Sequence, residues 1–198
     1  MKNFLIITMI SLFGLTIVGA QNNVEFGLKA GINLSTITGD DADSFSSRTG
    51  FHVGFVSEIE ISETFSFQPE LLYSAQGSDW SEDFVSESFE GTYKVDYLNV
   101  PLMAKFYVVE GFSLEAGPQV GLLLSAKAEG DFADDDLKDY LKGIDFGVNF
   151  GLGYKLDGGL NFGARYNLGL SDANDDTDFL GDSTYKNGVF QFSVGYFF

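Results

Sequence analysis

The stretch IDFGVNFGLGYKL, from Ile144 to Leu156, puts Ile144, Phe146, Val148, Phe150, Leu152, Tyr154 and Leu156 at alternate positions, separated by Asp145, Gly147, Asn149, Gly151, Gly153 and Lys155. Successive side chains of a strand point to opposite faces, so an unbroken period of two predicts a strand with one apolar and one polar face. A helix would scatter both sets around its circumference. Moving outward, the same alternation recurs over Val24–Ile37, Gly50–Ile61, Phe65–Gln76, Tyr93–Val108, Phe112–Lys127, Leu160–Leu170 and Val189–Phe198, which makes eight segments in all. With 24 Gly, 21 Phe, three Pro and one Trp, the composition is that of Gly- and aromatic-rich strands.

The connections alternate too. Ser62–Thr64, Val109–Gly111 and Asp157–Gly159 are tight turns, whereas the other four linkers each run about a dozen residues or more. An even strand count, with short turns at one rim and long loops at the other, predicts an all-β fold: an eight-stranded antiparallel up-and-down transmembrane β-barrel of the outer membrane type. Both termini then fall at the short-turn, periplasmic rim. Near that rim Phe65, Tyr107, Phe112, Tyr154, Phe162 and Tyr196 are expected to form an interfacial aromatic girdle.

Alternation leaves open which face is wet, since a soluble lipocalin-like carrier of an apolar ligand would turn Phe, Leu and Val inward. The charges favour the membrane reading. On the polar face lie six acids, Glu25, Glu58, Glu60, Glu70, Glu115 and Asp145, and five bases, Lys29, Lys105, Lys127, Lys155 and Arg165. Such a nearly balanced set suits a confined lumen, where unpaired charge is costly. The four long linkers instead hold 19 acids and four bases, most of the chain's net charge of −18. Glu70 and Lys105 are the expected buried pair between the third and fourth strands. A narrow channel is the further alternative, disfavoured because eight strands enclose little more than their own side chains.

Residues 1–20 read as a signal peptide, with Lys2, an apolar run from Phe4 and a small-residue site at Val18-Gly19-Ala20, leaving 21–198 as one barrel domain. Without cysteine, no disulfide can brace an exported fold. So acidic a chain is unsuited to nucleic acid; its expected partners are outer membrane lipids and the barrel-assembly machinery, and the expected state is a monomer. Phe198 with Tyr196 forms a C-terminal aromatic pattern of the kind that would serve as an assembly signal.

All three prolines fall inside predicted strands, where they cannot donate to a ladder. In the fourth strand Tyr93, Val95 and Tyr97 alternate out of step with Leu98, Val100, Leu102, Ala104 and Phe106, so a bulge near Tyr97 and Leu98 is expected to return both sets to the lipid face. The proline-bearing segments QPELLYSAQG (Gln68–Gly77), YLNVPLMAKFY (Tyr97–Tyr107) and LEAGPQVGLLL (Leu114–Leu124) resemble the PorT-like outer membrane protein beta-barrel domain family. The resemblance implies an eight-stranded barrel in a diderm outer membrane, often grouped with porins, and it implies no catalytic residues.

No enzymatic constellation emerges, and no cofactor is expected. The single histidine, His52, lies on the polar face with no serine motif beside it, and is expected to hydrogen-bond a lumenal carboxylate. The run from Asp172 to Asp178 has oxygen ligands at alternate positions but Thr177 where a calcium loop needs glycine and Ser183 where it needs glutamate. Loose divalent-cation binding by Asp134, Asp135, Asp136, Asp172 and Asp176 is the most these loops suggest.

Overall fold

The computed structural model describes residues 24–39, 45–84, 87–130, 135–172 and 185–198. The expected signal peptide, Asp134 and Asp176 lie outside them. Eight strands form one antiparallel ring: β1 (Val24–Gly39), β2 (Phe45–Ser62), β3 (Phe65–Phe84), β4 (Glu87–Val109), β5 (Phe112–Gly130), β6 (Ile144–Lys155), β7 (Leu160–Gly169) and β8 (Tyr185–Phe197). Each pairs with its neighbours in sequence, and β8 closes on β1 from Gly27↔Phe197 to Gly39↔Tyr185. The closed ring has no free edge, so every strand's ladder is satisfied from both sides.

The faces divide as the alternation predicts. Phe26, Leu28, Phe55, Phe146, Phe150, Leu152, Phe190 and Phe192 stand on the outside, each between 44% and 66% exposed. Lys29, Asn33, His52, Glu70, Lys105, Asn149 and Arg165 are buried inside. A continuous apolar belt around a chain whose interior is polar marks a surface made for hydrocarbon. Among the described residues no helix is long and apolar enough to cross a membrane; the strands do the crossing. Phe146, Phe150 and Tyr154 face outward, the reverse of what a lipocalin-like cavity requires.

Three expectations are corrected. Two of the four long linkers fall short of the expected dozen residues, because strands outrun the membrane. β1 and β2 leave only 40–44 between them, and β3 and β4 stay paired in one register from Phe65↔Phe106 to Phe84↔Glu87, whereas the linkers before β6 and β8 keep their length. With 20 and 23 residues, β3 and β4 exceed the nine to eleven or so that span a bilayer, and charged side chains let them continue in water. The bulge is not in β4, whose inward set Tyr93, Val95, Tyr97, Asn99, Pro101, Met103, Lys105 runs without a slip. It lies opposite, in β5, where Asp96 pairs with Ser125 but Tyr97 with Leu123, so Leu124 is the extra residue. That extra residue inverts the phase of outer β5, burying Ala126 and exposing Lys127. Tyr107, placed in the girdle by sequence, also belongs to β4's inward set and bonds Glu58.

The prolines share one level of the wall. Pro69 of β3 is opposite Leu102 of β4, and the β3–β4 pairs resume only at Leu72↔Asn99. The β4–β5 pairs likewise break between Pro101↔Gln119 and Ala104↔Ala116, beside Pro118. Gathering the missing donors into one patch confines the ladder's loss. Beyond β5, Asp135–Asp136 pair with Ala128 and Lys127, and a 3-10 turn over Lys138–Tyr140 leads into β6.

Candidate functional site in the barrel lumen

Strand alternation sends polar side chains from seven strands into the short-turn half of the lumen, where they link into a single chain of alternating charge. Glu25 pairs with Lys155, and Lys155 with Glu58 at 3.3 Å. Glu58 meets Lys105 at 3.3 Å, and Lys105 meets Glu115 at 3.7 Å. Glu115 meets Arg165 at 3.0 Å, Arg165 meets Glu70 at 2.9 Å, and Glu70 meets Lys29 at 3.2 Å. Four carboxylates thus face four cations, and the set is neutral. Two of the links, Arg165 of β7 to Glu70 of β3 and Lys155 of β6 to Glu58 of β2, join strands opposite one another in the ring, so the chain crosses the lumen. Arg165 grips both Glu70 oxygens, at 3.1 and 2.9 Å, the forked geometry in which guanidinium is strongest.

Glu70 and Lys105 are therefore not direct partners. Gln68 stands between them, accepting from Lys105 Nζ at 3.1 Å and donating to Glu70 at 2.6 Å; β3 presents Glu70 to the far wall, where Arg165 meets both its oxygens, while Lys105 turns to Glu58 and Glu115. The remaining polar-face residues sit apart from the network. Glu60 lies at the open short-turn rim, exposed, next to the irregularity where β2 meets β3. Lys127 has turned outward above the bulge. Asp145 is buried near the long-loop end and accepts from Ser171 at 2.6 Å. Phe197, which sequence reading passed over, lines the rim from β8, with Lys155 Nζ 4.6 Å and Lys105 Nζ 5.9 Å from its ring centroid.

Above the ionic tier lies one of amides and hydroxyls. His52 bonds no carboxylate: its Nδ1 is 2.8 Å from Asn33 Oδ1 and its Nε2 2.9 Å from Ser193 Oγ, because β1 and β8 flank it with neutral side chains at that level. Asn33 also donates to Ser74 Oγ at 3.0 Å and accepts from Gln191 at 3.1 Å. Ser193, His52 and Asn33 have the connectivity of a nucleophile, base and orienting group. All three are at most 7% exposed, so the row braces the wall where a substrate would have to enter. Asn149 continues the tier, donating to Gln119 and accepting from Asn167.

Of the acidic positions proposed for cations, Asp135 and Asp136 are exposed, Asp136 accepting from the Lys138 amide at 3.0 Å. Asp172 accepts from the Tyr185 amide at 2.9 Å. Among the described residues no group of three or more His, Cys, Asp or Glu is arranged to hold a metal.

A closed eight-stranded ring, apolar outside and filled with paired polar groups inside, defines a small outer membrane β-barrel. Residues 19–175 match the outer membrane protein beta-barrel domain family, and the chain belongs to it. In fold it is similar to Ail, the attachment invasion locus protein of Yersinia pestis, at 18% identity and a TM-score of 0.52, over 89% of this chain and 99% of that one. It is also similar to Neisserial surface protein A, at 15% identity and a TM-score of 0.51, over 86% of this chain and 96% of that one. The chain has no match among curated proteins.

Proposed function

We propose that this chain works as a closed barrel: a PorT-like structural component of the outer membrane that displays its charge outside the cell and passes no solute through its lumen. One observation carries the reading. The alternating ionic chain from Glu25 to Lys29 ties opposite walls together across the interior, and a neutral, mutually bonded plug of that kind is costly to part for a passing solute.

The flanking features suit the same role. Residues 1–20 act as a signal peptide cleaved after Ala20, and 21–198 fold as one monomeric barrel with both termini in the periplasm. Tyr196 and Phe198, outward at the end of the closing strand, present the aromatic pattern to the assembly machinery. The outer extensions of β3, β4 and β5 hold the acidic segments away from the membrane, where they repel anions and loosely attract divalent cations. Planar-bilayer recording of the purified barrel is the test. Silence across the usual voltage range is expected; discrete, reproducible steps on the nanosiemens scale would replace the plug with a channel.

A further inference from the structure

The long-loop end of the lumen is not filled as the rest is. Above Asn187 a cleft of about 110 Å³ opens, lined by Phe45, Tyr93, Tyr97, Tyr140, Tyr185 and Leu141, among others. Its walls are tied together: the Phe45 ring centroid is 5.9 Å from that of Tyr93 and 6.2 Å, edge to face, from that of Tyr185. Leu137 and Leu141 close one side by packing on Val95, Tyr97, Leu123 and Ala126. The cleft exists because β4 runs without a slip and so keeps Tyr93, Val95 and Tyr97 inward, while the β5 bulge brings outer β5 into phase with them.

Among the described residues no carboxylate lines this space. Lys127 and Lys186 border it, but each alternates outward, opposite Lys94 and Thr38 respectively. Asp145 below is engaged with Ser171. One polar group at the cleft is incompletely used. The Tyr97 hydroxyl, on a residue 2% exposed, accepts from Asn187 Nδ2 at 3.2 Å, and its own proton has no acceptor among the described residues. A phenol is both donor and acceptor, and a buried donor left unused is unfavourable.

We propose that this cleft binds a small uncharged molecule, an aromatic ring or short apolar chain bearing one hydrogen-bond acceptor, with the acceptor met by Tyr97 O–H. The volume suits such an occupant, since an engineered apolar cavity of about 150 Å³ takes benzene, and apolar walls with a single oriented polar group are how small-molecule sites select. The site is independent of the plug below it, so it holds whether or not the lumen conducts.

Fluorine NMR on the refolded barrel in lipid nanodiscs tests this with para-fluoroacetophenone, fluorobenzene, para-fluorobenzoate and para-fluorobenzylammonium. The ketone should show a saturable shift, with fluorobenzene binding about five- to tenfold more weakly, the worth of one hydrogen bond. The two ions should compete poorly. Tyr97→Phe should erase the preference for the ketone while keeping ring binding, and Leu141→Trp, which fills the cleft from outside the membrane, should weaken both by about tenfold or more. Four results would each overturn the proposal: no saturable shift, equal binding of the ions, an unchanged preference in Tyr97→Phe, or undiminished binding in Leu141→Trp, which would mean partition into lipid. Unboiled gel mobility confirms that each variant is folded before it is read.

Discussion

Glu70 stands between two cations that reach it from different walls, Arg165 at 2.9 Å and Lys29 at 3.2 Å. Removing its charge strands Lys29 in a dry interior and leaves Arg165 with Glu115 alone, and breaking a buried pair in this way costs more than the pair contributes. Glu70→Gln should lose about 3–5 kcal/mol in urea unfolding from lipid vesicles. Adding Arg165→Met should recover part of that loss, whereas Lys105→Met should add to it nearly independently, because Gln68 separates the two. Equal coupling to Lys105 and Arg165 would contradict the arrangement. At this scale sequence reading found the participants better than the pairings. Alternation says which residues are enclosed, but distance across a lumen depends on stagger between strands far apart in sequence, and a lone His52 gives no hint that Asn33 and Ser193 flank it.

Among the elements, β5 decides most of what the lumen's outer half becomes. Its extra residue, Leu124, inverts the phase beyond it, and so Ala126 is buried and Lys127 exposed. The chain has no cysteine, so single-cysteine variants report the phase directly. Lys127→Cys should react with a membrane-impermeant maleimide on intact cells and Ala126→Cys should not; the opposite pattern would move the bulge back into β4. The odd-numbered run from Tyr93 to Tyr107 is unbroken in sequence and could have been followed inward; its aromatic residues suggested lipid, and in a narrow barrel they instead cap the polar interior. Gly77 marks another such local demand: its φ of +134° is in the region glycine favours, and a Cβ there would lie 1.8 Å from the Tyr93 carbonyl oxygen. The short turns were legible because they fall between strands of opposite direction with nothing else to do.

At the scale of the whole molecule, ring size and the wet face followed from period, loop asymmetry and a charge balance that only enclosure explains. The height of the barrel did not, since a strand in water and a strand in lipid share one backbone and differ only in what their outer faces carry. Everything functional about this barrel depends on the apolar face meeting hydrocarbon and the polar face being closed off, and β6 offers the cleanest run on which to measure it. Nitroxide labels placed one at a time at Phe146, Gly147, Val148, Asn149, Phe150, Gly151 and Leu152 in lipid vesicles should show oxygen accessibility rising and falling with a period of two. The maxima should fall on the even-numbered positions, and a polar nickel chelate should reach none of the lumenal ones. Maxima of chelate accessibility at Gly147, Asn149 and Gly151, with the Phe positions shielded from oxygen, would contradict it.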